Sequence, residues 1–223
     1  MNTANKDTMP LVARFWNDIA EEFDSIYTGK GKSDVARSLD RYFRADIYGR
    51  FDWVMENSGD IRGQEICDIG CGSSRFVTEF VKRGAKHVTG VDVAPEMLRL
   101  SKQVVAADGT ADKCDFVLAD VLNWKTTNTY DTTVAIGFWD YIQNPPERLK
   151  LIRKLTRTRF LSAWPRYWTW RMPVRKVRLQ YVRGCPVYFF RRAQVEEMLA
   201  SSGFEVVRCD TVGKLFCVEA KPV

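Results

Sequence analysis

Histidine is almost missing. The single one among 223 residues is His87, so no pair of imidazoles is available as metal ligands or as a proton relay. Cysteine occurs six times, at 67, 71, 114, 185, 209 and 217, but never as C-x-x-C, which removes the zinc-ribbon and thioredoxin spacings. Cys67 and Cys71 flank a glycine turn, and we read all six as buried reduced thiols, the state expected of a cytoplasmic chain. No apolar run approaches the roughly 18–20 residues of a membrane span. The first ten residues are polar and lack an apolar segment, so 1–10 reads as a disordered tail rather than a secretory signal. No internal repeat or low-complexity tract is visible. Acidic residues are absent between Glu147 and Glu196, whereas fourteen Lys or Arg fall between Arg148 and Arg192. The net charge of +6 is therefore concentrated in the C-terminal half, which points to an anionic partner.

What is present is a soluble globular composition, 45% hydrophobic and 28% charged, in a length that can bury one sizeable core. Residues 11–60 read as an N-terminal helical cover. Leu11, Phe15, Ile19, Phe23 and Ile26 recur at helical spacing, and a second helix is expected over 34–57. Between them, Thr28 to Ser33 is a glycine-lysine break. It lacks the spacing of a phosphate-binding loop, and no strand precedes it. After Gly63 the pattern alternates. Strands are expected near 65–69, 87–91, 115–119, 131–136 and 159–163, with helices near 74–83, 95–107, 145–155 and 192–202 between and after them. Two alternating segments, 204–209 and 215–220, close the chain as an antiparallel pair. That order predicts an α/β fold, a doubly wound, mostly parallel seven-stranded sheet with an antiparallel terminal edge, which binds ligands beyond the carboxyl ends of its strands. Residues 165–190 break the alternation with aromatics and six basic residues and read as a lid-like insertion.

The stretch Asp68-Ile69-Gly70-Cys71-Gly72-Ser73-Ser74 turns a strand into a helix, and Asp92 and Asp120 follow the next two strands. Glycines here allow a sharp turn and close approach of a ligand to the backbone, and Ser73 or Ser74 can cap the helix. An acidic residue after the second strand also suits a dinucleotide dehydrogenase, but that site needs G-x-G-x-x-G, and Arg75 occupies the third glycine's place. The constellation resembles the cofactor site of class I S-adenosylmethionine-dependent methyltransferases, over about residues 60–223, and makes 61–223 the methyltransferase domain. Ala20-x-x-Phe23-Asp24 is similar to the small-molecule branch of that family, where Tyr-Asp is usual and the segment covers the cofactor. Ser74 stands where the family often has a third glycine.

The resemblance implies S-adenosyl-L-methionine as cofactor, held by Phe23, Tyr27, Asp68, Gly70, Cys71, Gly72, Asp92, Val93, Met97, Asp120, Val121, Ile136, Gly137 and Phe138. Asp92 suits the ribose hydroxyls, and Asp120 with the backbone after it suits the adenine amino group. Many relatives carry an acidic residue and a histidine at the places of Asp140 and Tyr141, which makes these two the catalytic candidates. His87 lies about five residues from the ligand edge, roughly 16 Å along a strand, too far to act as a base. Trp139, Trp164, Arg166, Arg171 and Tyr188 are the candidate acceptor-binding residues, with Arg175 as a further cation. The acceptor expected is a small or lipid-linked anion methylated on oxygen, with peripheral contact at the inner membrane surface as one way to reach it. An RNA acceptor is disfavoured because Gly137-Phe138-Trp139-Asp140 replaces the Asn/Asp-Pro-Pro-Tyr common in base N-methyltransferases. The non-enzymatic alternative is an S-adenosylmethionine-binding partner subunit. No metal is expected.

Overall fold

The structure, a computed structural model, describes residues 9–28, 45–167, 169 and 172–223. Helices α1 (Met9–Thr28) and α2 (Ala45–Asn57) come first. Then β1 (Glu65–Ile69), α3 (Arg75–Lys82), β2 (His87–Asp92), α4 (Pro95–Ala107), β3 (Cys114–Leu118) and β4 (Tyr130–Ile136) alternate. Helix α5 (Pro145–Leu155) leads into β5 (Thr156–Pro165). A short helix α6 (Met172–Lys176) and a π-helical turn (Val177–Val182) precede α7 (Arg192–Ser201), β6 (Phe204–Val212) and β7 (Leu215–Pro222). The strands form one sheet in the order β3-β2-β1-β4-β5-β7-β6, parallel except at β7, which is antiparallel to both β5 and β6.

Strands β1, β2 and β4 are buried along nearly their whole length, as covering on both faces requires, and Asp68, Thr89, Thr132 and Thr133 are buried in them among the apolar residues. Prolines at the first turns of α4 and α5 start those helices, where the missing N–H costs nothing. On one face of the sheet Trp139, Leu149, Ile152, Phe160, Trp164 and Phe204 pack together. On the other, Trp53, Val54, Phe76, Phe80, Val88 and Leu161 do so. Each such large side chain contributes about 2–3 kcal/mol by leaving water. The indole N–H of Trp53 donates to Asp210 at 2.8 Å and ties α2 to β6.

Two expectations need correction. Helix α1 begins at Met9, inside the expected tail, because Met9, Val12 and Phe15 bury one face against the domain. Strand β5 is longer than expected, running from Thr156 to Pro165, because β7 pairs with it as far as Pro165↔Leu215. Within 165–190 the structure describes two short helical segments, Met172–Lys176 and Val177–Val182. The second N-terminal helix is described from Ala45; the Thr28–Ser33 break lies outside the described residues beyond Thr28. Among the described residues no helix is long and apolar enough to cross a membrane.

Helix α1 also completes α4. The N-cap of α4 is Ala94, which has no side-chain acceptor, and Asn17 Oδ1 accepts the Glu96 N–H at 3.1 Å instead.

Candidate active site

Parallel registers Ile69↔Val91 and Asp92↔Leu118 align the carboxyl ends of the first three strands. A cavity of about 480 Å³ opens there. Its floor is the turn after β1. Gly70 and Gly72 have φ of 74° and 54°, values that glycine adopts without strain. A Cβ on Gly70 would come within 3.2 Å of the Phe138 ring, so the missing side chain is what lets Phe138 close that wall. The Gly70 and Cys71 N–H groups both donate to Val91 O, at 2.7 and 3.2 Å, pinning the turn to β2. Ser101 Oγ donates to Gly72 O at 2.7 Å and pins it to α4. Ser74 N-caps α3 by position, with φ 65°, but makes no side-chain cap bond.

Asp92 ends β2 on the cavity wall, with its oxygens accepting the N–H of Gly72 and of Ala94, each at 2.9 Å. Burial raises its pKa, against the lowering effect of the backbone N–H groups of Ala94, Gly72 and Val93. Asp68 lies behind the turn, fully buried, with Oδ2 lacking a hydrogen-bond partner among the described residues. Burial first, then the Asp92 charge, pushes its pKa up to about 7, and the Arg50 guanidinium opposes the rise. Burial and the two carboxylates raise Cys71 well above the usual thiol range, so it lines the cavity as a neutral thiol. Arg50 itself borders the cavity against Gly137.

Farther out, Tyr141 and Asp140 line the cavity from a 3-10 turn after β4. Trp16 of α1 meets the Tyr141 ring edge-on at 5.5 Å. Met9, Val12, Met172, Leu179 and Phe189 make an apolar mouth, and Arg166 and Lys214 add cations at the ends of β5 and of the β6–β7 hairpin.

Residues 66–159 match the family model described as "Methyltransferase domain". That segment, from β1 into β5, is where the chain is similar to a methyltransferase. Ubiquinone biosynthesis O-methyltransferase of Aeromonas salmonicida (strain A449) is 30% identical over 108 residues, 48% of this chain and 45% of that one. Ribosomal protein L11 methyltransferase of Haemophilus ducreyi is 37% identical over 60 residues, 27% of this chain and 20% of that one. The chain thus spans less than half the length of these curated relatives. Among solved structures, magnesium protoporphyrin IX methyltransferase from Synechocystis PCC 6803 with bound SAH superposes with TM-score 0.76 at 18% identity, covering 96% of this chain and 99% of that one. The cyclase SpnF superposes at 0.74 with 14% identity, covering 96% and 97%. The fold is shared, therefore, by proteins with different named activities.

The structure sorts the residues singled out in the sequence. Gly70, Cys71, Gly72, Asp92, Val93, Met97, Val121, Ile136, Gly137, Phe138, Asp140, Tyr141 and Arg166 all border the one cavity. Trp139 and Trp164 do not. They stack at 4.1 Å with 9° between ring planes, fully buried, and the Trp164 indole N–H donates to Ser162 Oγ at 2.9 Å. Strand alternation turns Trp164 into the sheet's core, so both are packing residues rather than acceptor contacts. Tyr188 packs on the same core, and its N–H holds Asp140 O at 2.8 Å. The Asp120 carboxylate is likewise off the cavity, paired with Arg148. Asp68 supports the turn from behind rather than lining the cavity. Arg171 and the Phe23 and Tyr27 side chains lie outside the described residues, as does the Arg175 side chain. His87 sits at the opposite sheet edge, its Nε2 2.9 Å from Asp115 Oδ2.

Sequence reading missed Arg50, Arg75, Lys214 and the α1 residues Met9, Val12 and Trp16 as cavity residues. Arg50 left a signal. It falls three residues after Ile47 and next to Phe51, a charge placed on the apolar face of α2. Lys214 left none, since a lysine after a hairpin glycine reads as solvent-facing.

Proposed function

We propose that the chain transfers a methyl group from S-adenosyl-L-methionine to an oxygen of a small or lipid-linked anionic acceptor. The observation that carries the donor half is Asp92: a carboxylate at the end of β2, on the same cavity wall as the Gly70–Gly72 turn. Each Asp92 oxygen spends one lone pair on a backbone N–H and keeps another for a ribose hydroxyl. The turn admits the amino-acid end closely, and Arg50 supplies a cation for its carboxylate. Met97, Val93, Val121 and Phe138 give the apolar walls that a purine needs. The buried Ser73 Oγ on this wall has no hydrogen-bond partner among the described residues, as a ligand-facing hydroxyl requires.

When bound, the cofactor supplies an electrophilic methyl group on a sulfonium. The protein's task is then to align an acceptor oxygen with that methyl and to exclude water. Met9, Val12 and Trp16 roof the cavity and perform the exclusion. Asp140 and Tyr141 are the groups placed to accept or hold the acceptor's proton. Among the described residues, four cations, Arg50, Arg75, Arg166 and Lys214, border the cavity against two carboxylates, Asp92 and Asp140, which favours an acceptor of negative charge.

A lipid-linked acceptor has its own support. Tyr181 is 74% exposed and Val177 54%, with exposed Lys176 and Arg183 beside them, on the segment whose Leu179 reaches the cavity. Apolar side chains amid cations suit an anionic membrane surface next to the cavity mouth. Co-flotation with phosphatidylglycerol vesicles at low salt, lost in Tyr181→Asp, tests it; equal recovery with neutral vesicles contradicts it. The donor half is tested by thermal shift with S-adenosylhomocysteine against NADH. Stabilisation by NADH alone would sink it.

A further inference from the structure

Arg148 projects from α5 onto the turn that follows β3. Its Nη2 lies 2.7 Å from Asp120 Oδ2 and its Nε 3.3 Å from Oδ1. The pair is buried, with side chains 7% and 9% exposed. Asp120 Oδ1 also accepts the Leu122 N–H at 3.2 Å, and Asp120 O accepts the Asn123 N–H at 2.8 Å. The Ala119 N–H donates to Asp92 O at 2.9 Å. The turn 119–123 is thus held at both ends and through its middle. Its flanking residues, Ala119 and Val121, border the cavity, and Asp120 does not.

A buried fork of this kind is costly to break, because either partner alone is left as an uncompensated charge. Its presence beside the cavity is not explained by stability alone, since a well-packed apolar pair would hold α5 to the turn equally well. Asp120 is also the residue whose position after β3 suits a nucleobase amino group, and in this geometry both of its oxygens are engaged elsewhere.

We propose that Arg148 is a positioning residue for the base end of the donor site. By holding both Asp120 oxygens it turns that carboxylate away from the cavity and sets Ala119 and Val121 against the nucleobase. The base is then selected by the shape and main chain of this turn rather than by a carboxylate. This inference rests on the adenosine-type ligand assigned to the cavity above.

The test is equilibrium binding of S-adenosylhomocysteine, of 5′-methylthioadenosine, which lacks the amino-acid end, and of S-inosylhomocysteine. The proteins are wild type, Arg148→Met, the uncharged pair Asp120→Asn with Arg148→Met, and Ile152→Ala as a core control on the same helix. The double variant leaves no buried lone charge, so it stays folded if the single variant does not. Expected in the folded variants is a loss of about tenfold for both adenosine ligands alike, the scale of a positioning effect transmitted through one contact. Arg148→Met should also raise the preference for adenosyl over inosyl ligand, because the freed Asp120 carboxylate can accept from an amino group but repels a carbonyl oxygen. Ile152→Ala should change melting temperature without moving that preference. Unchanged affinity for both adenosine ligands in a folded Arg148 variant overturns the proposal alone. So does a preference that shifts equally in Ile152→Ala. A wild-type protein that binds none of the three ligands overturns the donor reading and this proposal with it.

Discussion

Gly137 lies flat against the guanidinium of Arg50: a Cβ built on Gly137 would stand 2.8 Å from Arg50 Nη1. Gly137 also has φ 75°, a conformation that side chains resist. Gly137→Ala should therefore displace Arg50 from the cavity and weaken S-adenosylhomocysteine by more than about tenfold, the scale of a lost charge-assisted hydrogen bond. Arg50→Met should reproduce the loss. Calorimetric titration reads both, and normal affinity in either variant would remove Arg50 from the carboxylate subsite.

Ser74 is the one non-glycine with positive φ among the described residues, at 65°, and it is fully buried. Relief of left-handed strain should outweigh the extra chain entropy of glycine, so Ser74→Gly is expected to stabilise by about 0.5–1 kcal/mol. Ser74→Val should destabilise by more. Urea unfolding measures both, and a less stable Ser74→Gly would show that the serine is not strained.

Asp68 carries a pH signature. Its carboxyl is held protonated up to about pH 7 by burial and by Asp92. In the unfolded chain it ionises near 4. Below that both states hold the proton. Between about 4 and 7 only the folded state does, so this group's contribution to stability falls as pH rises through the window. Asp68→Asn removes the dependence. Its advantage over wild type should be small near pH 4 and grow to a few kcal/mol, on the order of two to four, by pH 8. Parallel pH–stability curves for the two proteins would contradict the assignment.

The Trp139–Trp164 stack predicts a core phenotype. Trp164→Ala should cost about 3–5 kcal/mol, while Trp164→Phe costs much less. The affinity of folded Trp164→Phe for S-adenosylhomocysteine should match wild type. A selective loss of acceptor turnover in that variant would return Trp164 to the acceptor site.

The sheet was legible because its information is local. The strand segments Ile66–Ile69 and Val88–Val91, each bounded by apolar β-branched residues, Pro95 and Pro145 at helix starts, and the glycine turn at 70–72 each specify their own element. Asp92 was legible for the same reason, as a polar residue ending an apolar strand. The acceptor side was not, because its residues meet only through topology. Met9 and Trp16 arrive from the far N-terminus, Lys214 from a hairpin tip, and Arg50 from α2. Trp164 misled because aromatic residues near arginines read alike whether a strand turns them in or out. Asp120 misled because its partner, Arg148, sits 28 residues away on another element, and no local pattern pairs the two.

The central claim, that this cavity takes S-adenosyl-L-methionine through Asp92, is tested most directly by titrating wild type and Asp92→Ala with S-adenosylhomocysteine and, in parallel, NADH. Wild type should bind S-adenosylhomocysteine and not NADH, and Asp92→Ala should weaken that binding at least about a hundredfold, as both ribose hydroxyls lose a charged acceptor. Undiminished binding by Asp92→Ala, or binding of NADH in place of S-adenosylhomocysteine, would contradict it.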